Sequence, residues 1–225
     1  MSLDIEFFKR STNITAKVVC DSINEQGVRL TTFEIEYPRF ILAELNTHRQ
    51  LSKNSSSSRA IPIKKMLSQI EDNMAVPVYW GKAKSGMQAD EEVSKIDEVK
   101  SVLAWERSFN YSKERVKDMN DIGLHKQVPN RLIEPFQMMK TVITGTDFDN
   151  FFNLRLHPDS QPEICMLAYK MYKAMEESDP YELKVGEWHL PYVDKLLDND
   201  GCLLDRKSTR LNSSHSAKSR MPSSA

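Results

Sequence analysis

The spacing of apolar and polar positions predicts a mixture of strands and amphipathic helices. Residues 16–20 and 28–36 are β-branched and partly alternating, and the turn-forming residues 24–27 lie between them, which predicts a β-hairpin. Apolar residues at helical spacing predict a short amphipathic helix over residues 63–70. The same spacing predicts a helix over residues 162–175 whose apolar stripe packs against a core.

Three further segments complete the predicted organisation. Residues 90–122 are strongly charged and predict a mostly helical stretch with a break near Asn110. Residues 76–86 predict a loop with aromatic anchors, and residues 147–154 begin like a capped helix. The pattern as a whole predicts an α+β domain that is dominated by helices and contains a small antiparallel sheet.

Residues 47–59 read Thr-His-Arg-Gln-Leu-Ser-Lys-Asn-Ser-Ser-Ser-Ser-Arg and are poorly suited to packing. Arginine offers planar, bidentate donors for phosphate and carboxylate, and serine hydroxyls can donate to the same oxygens. The segment therefore predicts an anion-binding loop, best suited to a nucleotide phosphate. A solvated serine-rich linker is the alternative from composition alone.

Ordered neighbours favour a structured loop over a linker. Before the loop, Pro38 is placed to begin a helix with an apolar face of Phe40, Ile41 and Leu45. After the loop, residues 61–63 read Ile-Pro-Ile.

Composition sets outer bounds on the fold and the compartment. A chain of 225 residues that is 40% hydrophobic can bury one substantial core. A net charge of −1 gives no general attraction to nucleic acid. Cys20, Cys165 and Cys202 lack metal-ligand or Cys-x-x-Cys spacing and are interpreted as reduced thiols. Without a membrane-spanning run or a signal peptide, we expect a cytoplasmic protein with no membrane partner, no nucleic-acid partner and no metal site.

The end of the chain has an unusual relation to a known DNA sequence. Residues 205–215 and 219–225 can be back-translated, in one reading frame, into the two ends of a common short-read sequencing adapter. We therefore expect residues 1–204 to form the domain and residues 205–225 to be a translated artefact without a fold. On this interpretation the natural sequence differs after Leu204. The alternative is a natural basic tail that binds RNA.

Several motifs resemble those of flavin-dependent thymidylate synthases. The family pattern Arg-His-Arg-x-x-Ser-x-Asn-Glu-x-Ser-x-Arg-Tyr departs here at Thr47, Ser55 and Ala60. Its matching positions are His48, Arg49, Ser52, Asn54, Ser57 and Arg59.

Other segments resemble further family motifs in the right order. Residues 150–155 resemble Asn-Phe-x-x-Leu-Arg, and residues 160–164 resemble Ala-Gln-x-Glu-Ile. Residues 123–136 resemble the segment whose arginine, four positions before a proline, binds the nucleotide. Residues 56–62, 86–89 and 186–193 resemble the bacteriophage branch of the family, in which the serines and Ala60 are usual.

The resemblance implies a fold, an assembly and a reaction. The family has the fold of the thymidylate-synthase-complementing proteins and forms homotetramers whose active sites are shared between subunits. It methylates dUMP to dTMP with FAD as cofactor, NADPH as reductant and methylenetetrahydrofolate as carbon donor. This chain contains no Gly-x-Gly-x-x-Gly fingerprint, and the family does not use one.

The resemblance also implies roles for particular residues. Arg155 matches the arginine that faces the uracil imide and raises electron density at C5; the alternative is an arginine that caps the end of a helix. For Arg131 the alternative is a salt bridge with Glu134. Residues expected to bind dUMP are Glu44, Ser55, Ser56, Ser57, Ser58, Arg59 and Arg131. Residues expected to contact FAD are Thr47, His48, Arg49, Gln50 and Asn150, of which Thr47 lacks the charge of the family's first arginine.

Two family motifs are missing from residues 1–204, an Ala-Arg-x-Ser-Tyr-like strand and a His-x-Ser-Pro-x-Glu-His helix. We therefore expect a truncated enzyme that keeps most of the dUMP-binding half, has an incomplete flavin and folate site, and is inactive alone. Two other functions stay open. One is a phage flavin-dependent pyrimidine-modifying enzyme with another donor, and the other is a non-catalytic nucleotide- or nucleic-acid-binding module.

Overall fold

The computed structural model describes residues 5–89, 91–193, 196–197 and 203–204. The helices are α1 (Ile5–Phe8), α2 (Leu42–Thr47), α3 (Ile63–Asp72), α4 (Lys95–Asp121), α5 (Asn130–Ile133), α6 (Asp149–Arg155) and α7 (Pro162–Glu176). The strands are β1 (Thr15–Asn24), β2 (Arg29–Pro38), β3 (Ser52–Ser55), β4 (Met138–Gly145), β5 (Tyr181–Leu183), β6 (Leu196–Leu197) and β7 (Leu203–Leu204).

The predicted hairpin is confirmed as β1 and β2, which pair antiparallel. Its turn uses Gly27, whose φ of +78° lies in the left-handed region that glycine adopts without steric cost. The Asn24 side-chain oxygen accepts hydrogen bonds from the backbone N–H groups of Gln26 and Val28. This asparagine therefore closes the turn with its side chain as well as its backbone.

A five-stranded sheet organises the molecule, in the order β3-β4-β2-β1-β5. All neighbours are antiparallel except β5, which runs parallel to β1. The helix-dominated α+β class predicted from the sequence is confirmed. The sequence pattern did not predict β3, β4 or β5.

One face of the sheet carries the main core. Side chains alternate along a strand, so β2 sends Phe33, Ile35 and Tyr37 to the same buried face. The amphipathic helix predicted over residues 162–175 is confirmed as α7, and Ile164 and Leu167 lie fully buried in the same cluster. The packing of α7 on this sheet face therefore holds its first residues in place, and Pro162 and Glu163 line the candidate site.

A second apolar cluster joins α3, α4 and the chain around Phe136. The predicted short helix is confirmed as α3. The predicted break near Asn110 is wrong, since α4 continues through Asp121. Phe109 and Val116 are seven residues apart and both buried, so an unbroken helix keeps them on one face.

Two remaining predictions concern local structure. Residues 76–80 are irregular, and the Trp80 ring packs edge-on against Trp105, which agrees with an aromatic anchor. Pro38 ends β2 and precedes a short 3-10 turn, Arg39–Ile41, that leads into α2. Of the predicted apolar face, Ile41 in the turn and Leu45 in α2 are buried, whereas Phe40 is half-buried.

The described residues fall into two compact units. The described residues up to His189 belong to one compact unit, while β6 and β7 pair antiparallel in a second unit. The predictions for Cys202 and residues 205–225 lie outside the described residues. In the described part of the chain, no helix has both the length and the apolarity needed to cross a membrane.

Candidate active site

A cavity of about 760 Å³ lies between α2, α7 and the loop around Tyr79, and we call it the Arg155 cavity. Its volume is within the range of small-molecule sites. Tyr79 and Trp105 contribute aromatic surface. The charged and amide side chains that line it are Glu44, Gln88, Arg155, Asp159, Gln161 and Glu163.

Arg155 is the last residue of α6. Its side chain reaches Glu44 and Thr47 of α2 and also His48, which directly follows α2. Arg155 Nε donates a hydrogen bond of 2.8 Å to His48 Nε2, and a terminal nitrogen donates one of 3.1 Å to Thr47 Oγ1. The other terminal nitrogen lies 3.6 Å from a carboxylate oxygen of Glu44. These contacts give the guanidinium a fixed orientation beside the cavity, a different role from that of a helix cap.

His48 is a neutral hydrogen-bond acceptor in this arrangement. Its side chain is buried, with the ring edge-on to Phe151 at 4.9 Å. Burial lowers the pKa of His48, and the positive charges of Arg155 and Lys53 lower it further. Since Nε2 accepts a hydrogen bond from Arg155, the proton of the neutral ring is assigned to Nδ1.

All five residues expected to contact FAD line one cavity of about 100 Å³, which we call the His48 cavity. They are Thr47, His48, Arg49, Gln50 and Asn150. Leu51, Asp147 and Phe151 complete the lining. Two separate stretches of sequence therefore meet here, the turn after α2 and the start of α6.

Residues 55–59, which are four serines and Arg59, line a third cavity of about 230 Å³, which we call the serine cavity. Its lining residues are Arg39, Leu42, Asn46, Ser55, Ser56, Ser57, Ser58, Arg59, Arg131 and Met139. Every residue expected to bind dUMP lines this cavity except Glu44. The segment is not entirely the loop that the sequence predicted, because Ser52–Ser55 forms β3 and pairs with β4.

The four serines of the cavity differ in what their hydroxyls can offer a ligand. Ser58 is buried and its Oγ donates a 2.5 Å hydrogen bond to Glu134, which uses its one hydroxyl hydrogen. Ser55 Oγ lies 2.8 Å from the Thr141 hydroxyl. Ser56 and Ser57 are exposed, as is Arg59, and these three residues are placed to meet an anion.

Arg131 forms the salt bridge that was one of its two sequence-based interpretations, and its nucleotide-binding role stays a prediction. It forms a salt bridge of 3.0 Å with Glu134, and it also lines the serine cavity. Arg39 lines the same cavity and lies 3.1 Å from Glu134. Sequence reasoning missed Arg39, whose only available signal was its place beside the predicted helix start at Pro38.

Glu163 is a second residue that the sequence analysis did not assign to the site. It is buried in the first turn of α7, lines the Arg155 cavity and accepts a hydrogen bond of 2.9 Å from the Val78 backbone N–H. Burial raises the pKa of the Glu163 carboxyl, and the charge of Glu44 also raises it. The motif match at residues 160–164 was the available signal.

Helix α2 separates the Arg155 cavity from the serine cavity. Leu42 and Asn46 line the serine cavity, whereas Glu44 lines the Arg155 cavity. With 3.6 residues per turn, Glu44 points roughly 160–200° away from its two neighbours on the helix. Within one chain, the residues expected to bind dUMP therefore fall on opposite faces of α2.

The chemistry of the site rests on guanidinium, carboxylate, hydroxyl and imidazole groups. Among the described residues, no three His, Cys, Asp or Glu side chains form a group that could hold a metal ion. The arrangement can orient an arginine against a polar ring, present donors to an anion, and surround the edge of a polar cofactor.

Known proteins resemble this chain in sequence and in fold. Residues 27–181 match the family model described as thymidylate synthase complementing protein. No curated protein matches the sequence.

Two similar solved structures are those of the UMP/dUMP methylase PolB from Streptomyces cacaoi. The structure bound with 5-Br UMP is 19% identical, with a TM-score of 0.63 over 74% of this chain and 90% of that chain. The structure bound with 5-Br dUMP is 18% identical, with a TM-score of 0.60 over 74% of this chain and 91% of that chain. These similarities establish a shared fold. Because the family model matches more than half of the chain, this protein belongs to the thymidylate synthase complementing protein family.

Proposed function

We propose that this protein is a flavin-dependent thymidylate synthase that methylates dUMP to dTMP. In this proposal FAD is the cofactor, NADPH the reductant and methylenetetrahydrofolate the carbon donor. The observation that carries the proposal is the hydrogen bond between Arg155 and His48, because it joins a nucleotide-sized cavity to the cavity of the five expected flavin residues.

Arg155 would act on the pyrimidine ring. A guanidinium that faces N3 and O4 of the uracil stabilises negative charge on the imide and so raises electron density at C5. Glu44 and His48 hold the guanidinium in place from two sides. His48 does so without adding a positive charge, because its ring is neutral in this environment.

The residues of the His48 cavity fit the polar part of a flavin dinucleotide. Arg49 supplies a cationic donor, and Gln50 and Asn150 supply amide donors and acceptors. A cavity of about 100 Å³ is too small for the whole cofactor, so these residues would hold only one part of it. Bound FAD would supply the two electrons that convert the transferred methylene to a methyl group, which no side chain can supply.

The serine cavity is the proposed site of the dUMP phosphate. Arg59 and Arg131 would pair with the phosphate oxygens, and Ser56 and Ser57 would donate hydrogen bonds to them. Because α2 separates this cavity from Arg155, one chain cannot offer both sets of residues to the same small ligand. We therefore propose a homotetramer in which Arg155 of one copy and the serine cavity of another meet one dUMP.

We propose a cytoplasmic location, which the two described cysteines support. Cys20 and Cys165 are free and buried, and burial raises the pKa of the Cys165 thiol to about 11. Thiols that are kept reduced are typical of a cytoplasmic enzyme.

Release of tritium from dUMP labelled at C5 tests the proposal. The protein is incubated with labelled dUMP, FAD, NADPH and methylenetetrahydrofolate, and both tritium release and dTMP are measured. In a chain that carries the natural sequence after Leu204, we expect release that is lost in Arg155→Ala and kept in Arg107→Ala, which removes an exposed arginine of α4. The 225-residue chain should release none, as the two missing motifs predict, and full release from it would reject the expected truncation. Methylation with another carbon donor in place of the folate would favour the pyrimidine-modifying alternative. Binding of dUMP without turnover or flavin would favour a non-catalytic module.

A further inference from the structure

Glu134 lies behind the serine cavity and contacts three of its lining residues. Its carboxylate accepts a hydrogen bond of 2.5 Å from Ser58 Oγ and lies 3.1 Å from Arg39 and 3.0 Å from Arg131. The Glu134 side chain is only 17% exposed. A ligand in the cavity would therefore contact the two arginines directly. The negative charge of Glu134 would act on the ligand by reducing the net positive charge of these arginines.

The Glu134 carboxyl is held in its charged form. Burial on its own would raise its pKa, but the Ser58 hydrogen bond and the charges of Arg39 and Arg131 outweigh burial, so the pKa is lowered. At neutral pH the carboxylate is a permanent negative charge beside the cavity.

The negative charge of Glu134 lowers the net positive charge of the serine cavity. Arg39, Arg59 and Arg131 line the cavity, and the residues of the described lining include no Asp or Glu. Glu134 offsets one of the three positive charges. The remainder matches a phosphate monoester, which carries about 1.5 to 2 negative charges at pH 7. Pyrophosphate and nucleoside di- and triphosphates carry more.

We propose that Glu134 is a specificity-determining residue that matches the charge of the serine cavity to a single phosphate group and disfavours pyrophosphate, nucleoside diphosphates and nucleoside triphosphates. The inference rests on the proposed function in one respect, the identification of dUMP as the nucleotide that carries the phosphate. The charge balance itself rests on Glu134 and the three arginines.

A ratio of two affinities isolates the effect of charge. Glu134 also orients Arg39 and Arg131, so its replacement changes the binding of every anion. Phosphate and pyrophosphate would meet the same arginines, so a loss of orientation affects both ligands. The loss of one negative charge favours pyrophosphate more, because it carries more charge.

Isothermal titration calorimetry with inorganic phosphate and pyrophosphate at pH 8 tests the proposal. In Glu134→Gln, we expect the affinity for pyrophosphate relative to phosphate to rise about tenfold over that of the unaltered protein. Glu25→Gln, in the exposed hairpin turn, makes the same change in net charge and should leave the ratio unchanged. A ratio in Glu134→Gln within twofold of the unaltered protein, or an equal rise in Glu25→Gln, would overturn the proposal.

Two further variants show whether a change in the affinity ratio comes from the lost charge of Glu134, from altered geometry or from misfolding. Ser58→Ala removes a hydrogen bond to Glu134 and keeps the charge, so the ratio should stay near that of the unaltered protein. A rise in Ser58→Ala as large as in Glu134→Gln would assign the effect to geometry and overturn the proposal. If Glu134→Gln does not fold, Arg39→Gln tests the same balance and should lower the ratio; a higher or unchanged ratio would contradict the proposal.

The inference and the proposed function can fail separately. A shifted ratio in a protein that releases no tritium from labelled dUMP would support the role of Glu134 and reject the synthase. An unshifted ratio in a protein that does release tritium would reject only the role of Glu134.

Discussion

Arg155 Nε and His48 Nε2 are 2.8 Å apart, and their hydrogen bond links two of the three cavities that we assign to the site. The bond exists only while the imidazole is neutral, since a protonated ring has no acceptor nitrogen. The protonation state of one buried histidine therefore decides whether this bond, one of three polar contacts that hold Arg155, can form.

The pH dependence of stability follows from this bond. The pKa of His48 is lowered by burial and then by the charges of Arg155 and Lys53, so the folded protein resists protonation that the unfolded chain accepts. We expect the free energy of unfolding to fall as pH drops below about 6.5, through the contribution of His48. Urea unfolding at several pH values should show a smaller fall in His48→Gln. The exposed His125→Gln should behave like the unaltered protein, and an equal fall in all three proteins would contradict the prediction.

Arg155→Lys tests the fork geometry of the guanidinium. Lysine keeps the charge but cannot donate in one plane to both His48 and Thr47. If Arg155 stabilises charge that develops on the ring, kcat should fall by about 10²–10³, with a much smaller change in KM for dUMP. Steady-state kinetics with Arg107→Lys as control measures the split. A change confined to KM would indicate a role in ground-state binding only.

The separation of the two cavities by α2 predicts complementation between inactive copies. Arg155→Ala and Arg59→Ala should each be inactive alone. Mixed tetramers assembled at random from equal amounts should regain about one quarter of the activity, because that fraction of sites receives both intact residues. Arg155→Ala mixed with His48→Ala should recover nothing, since both residues act from one chain. Recovery in both mixtures, or in neither, would contradict a site shared in this way.

The contribution of Glu163 to the free energy of unfolding depends on pH in the opposite direction from that of His48. Its raised pKa, caused mainly by burial, means that the folded state keeps a proton that the unfolded chain releases. Its contribution to stability is present below the ordinary glutamate pKa and is lost as pH rises through the folded pKa. Glu163→Gln can still accept the hydrogen bond from Val78 N–H without titrating. The fall in the urea midpoint from pH 5 to pH 8 should therefore be smaller in Glu163→Gln than in the unaltered protein. The exposed Glu182→Gln should show the full fall. A fall in Glu163→Gln identical to that of the unaltered protein would contradict this assignment.

The sequence predicted those elements whose side chains follow a clear period. The hairpin of β1 and β2 and helix α7 carry enough apolar residues at regular spacing to identify their buried faces. Strand β3 reads Ser-Lys-Asn-Ser and has no apolar signal, because it is an edge strand that exists through pairing with β4. Such pairing joins residues about ninety positions apart and cannot be found from local pattern.

The candidate site also contains residues that the sequence identified and residues that it did not. The motif around His48 and Asn150 identified residues that do line one cavity. Arg39 was missed, and Glu134 was predicted only as a salt-bridge partner of Arg131, because Glu134 meets Ser58 and Arg39 only after three distant segments fold together. The motif also grouped Glu44 with the serines, and only the turn of α2 shows that they face different cavities.

The visible absorption spectrum of the protein with FAD, recorded before and after addition of dUMP, tests the central claim most directly. For a chain that carries the natural sequence after Leu204, the account predicts that flavin stays with the protein through gel filtration and that dUMP changes the flavin spectrum, with the change lost in Arg155→Ala. A protein that binds dUMP but retains no flavin, with an affinity that falls steeply as salt is raised, would contradict the account.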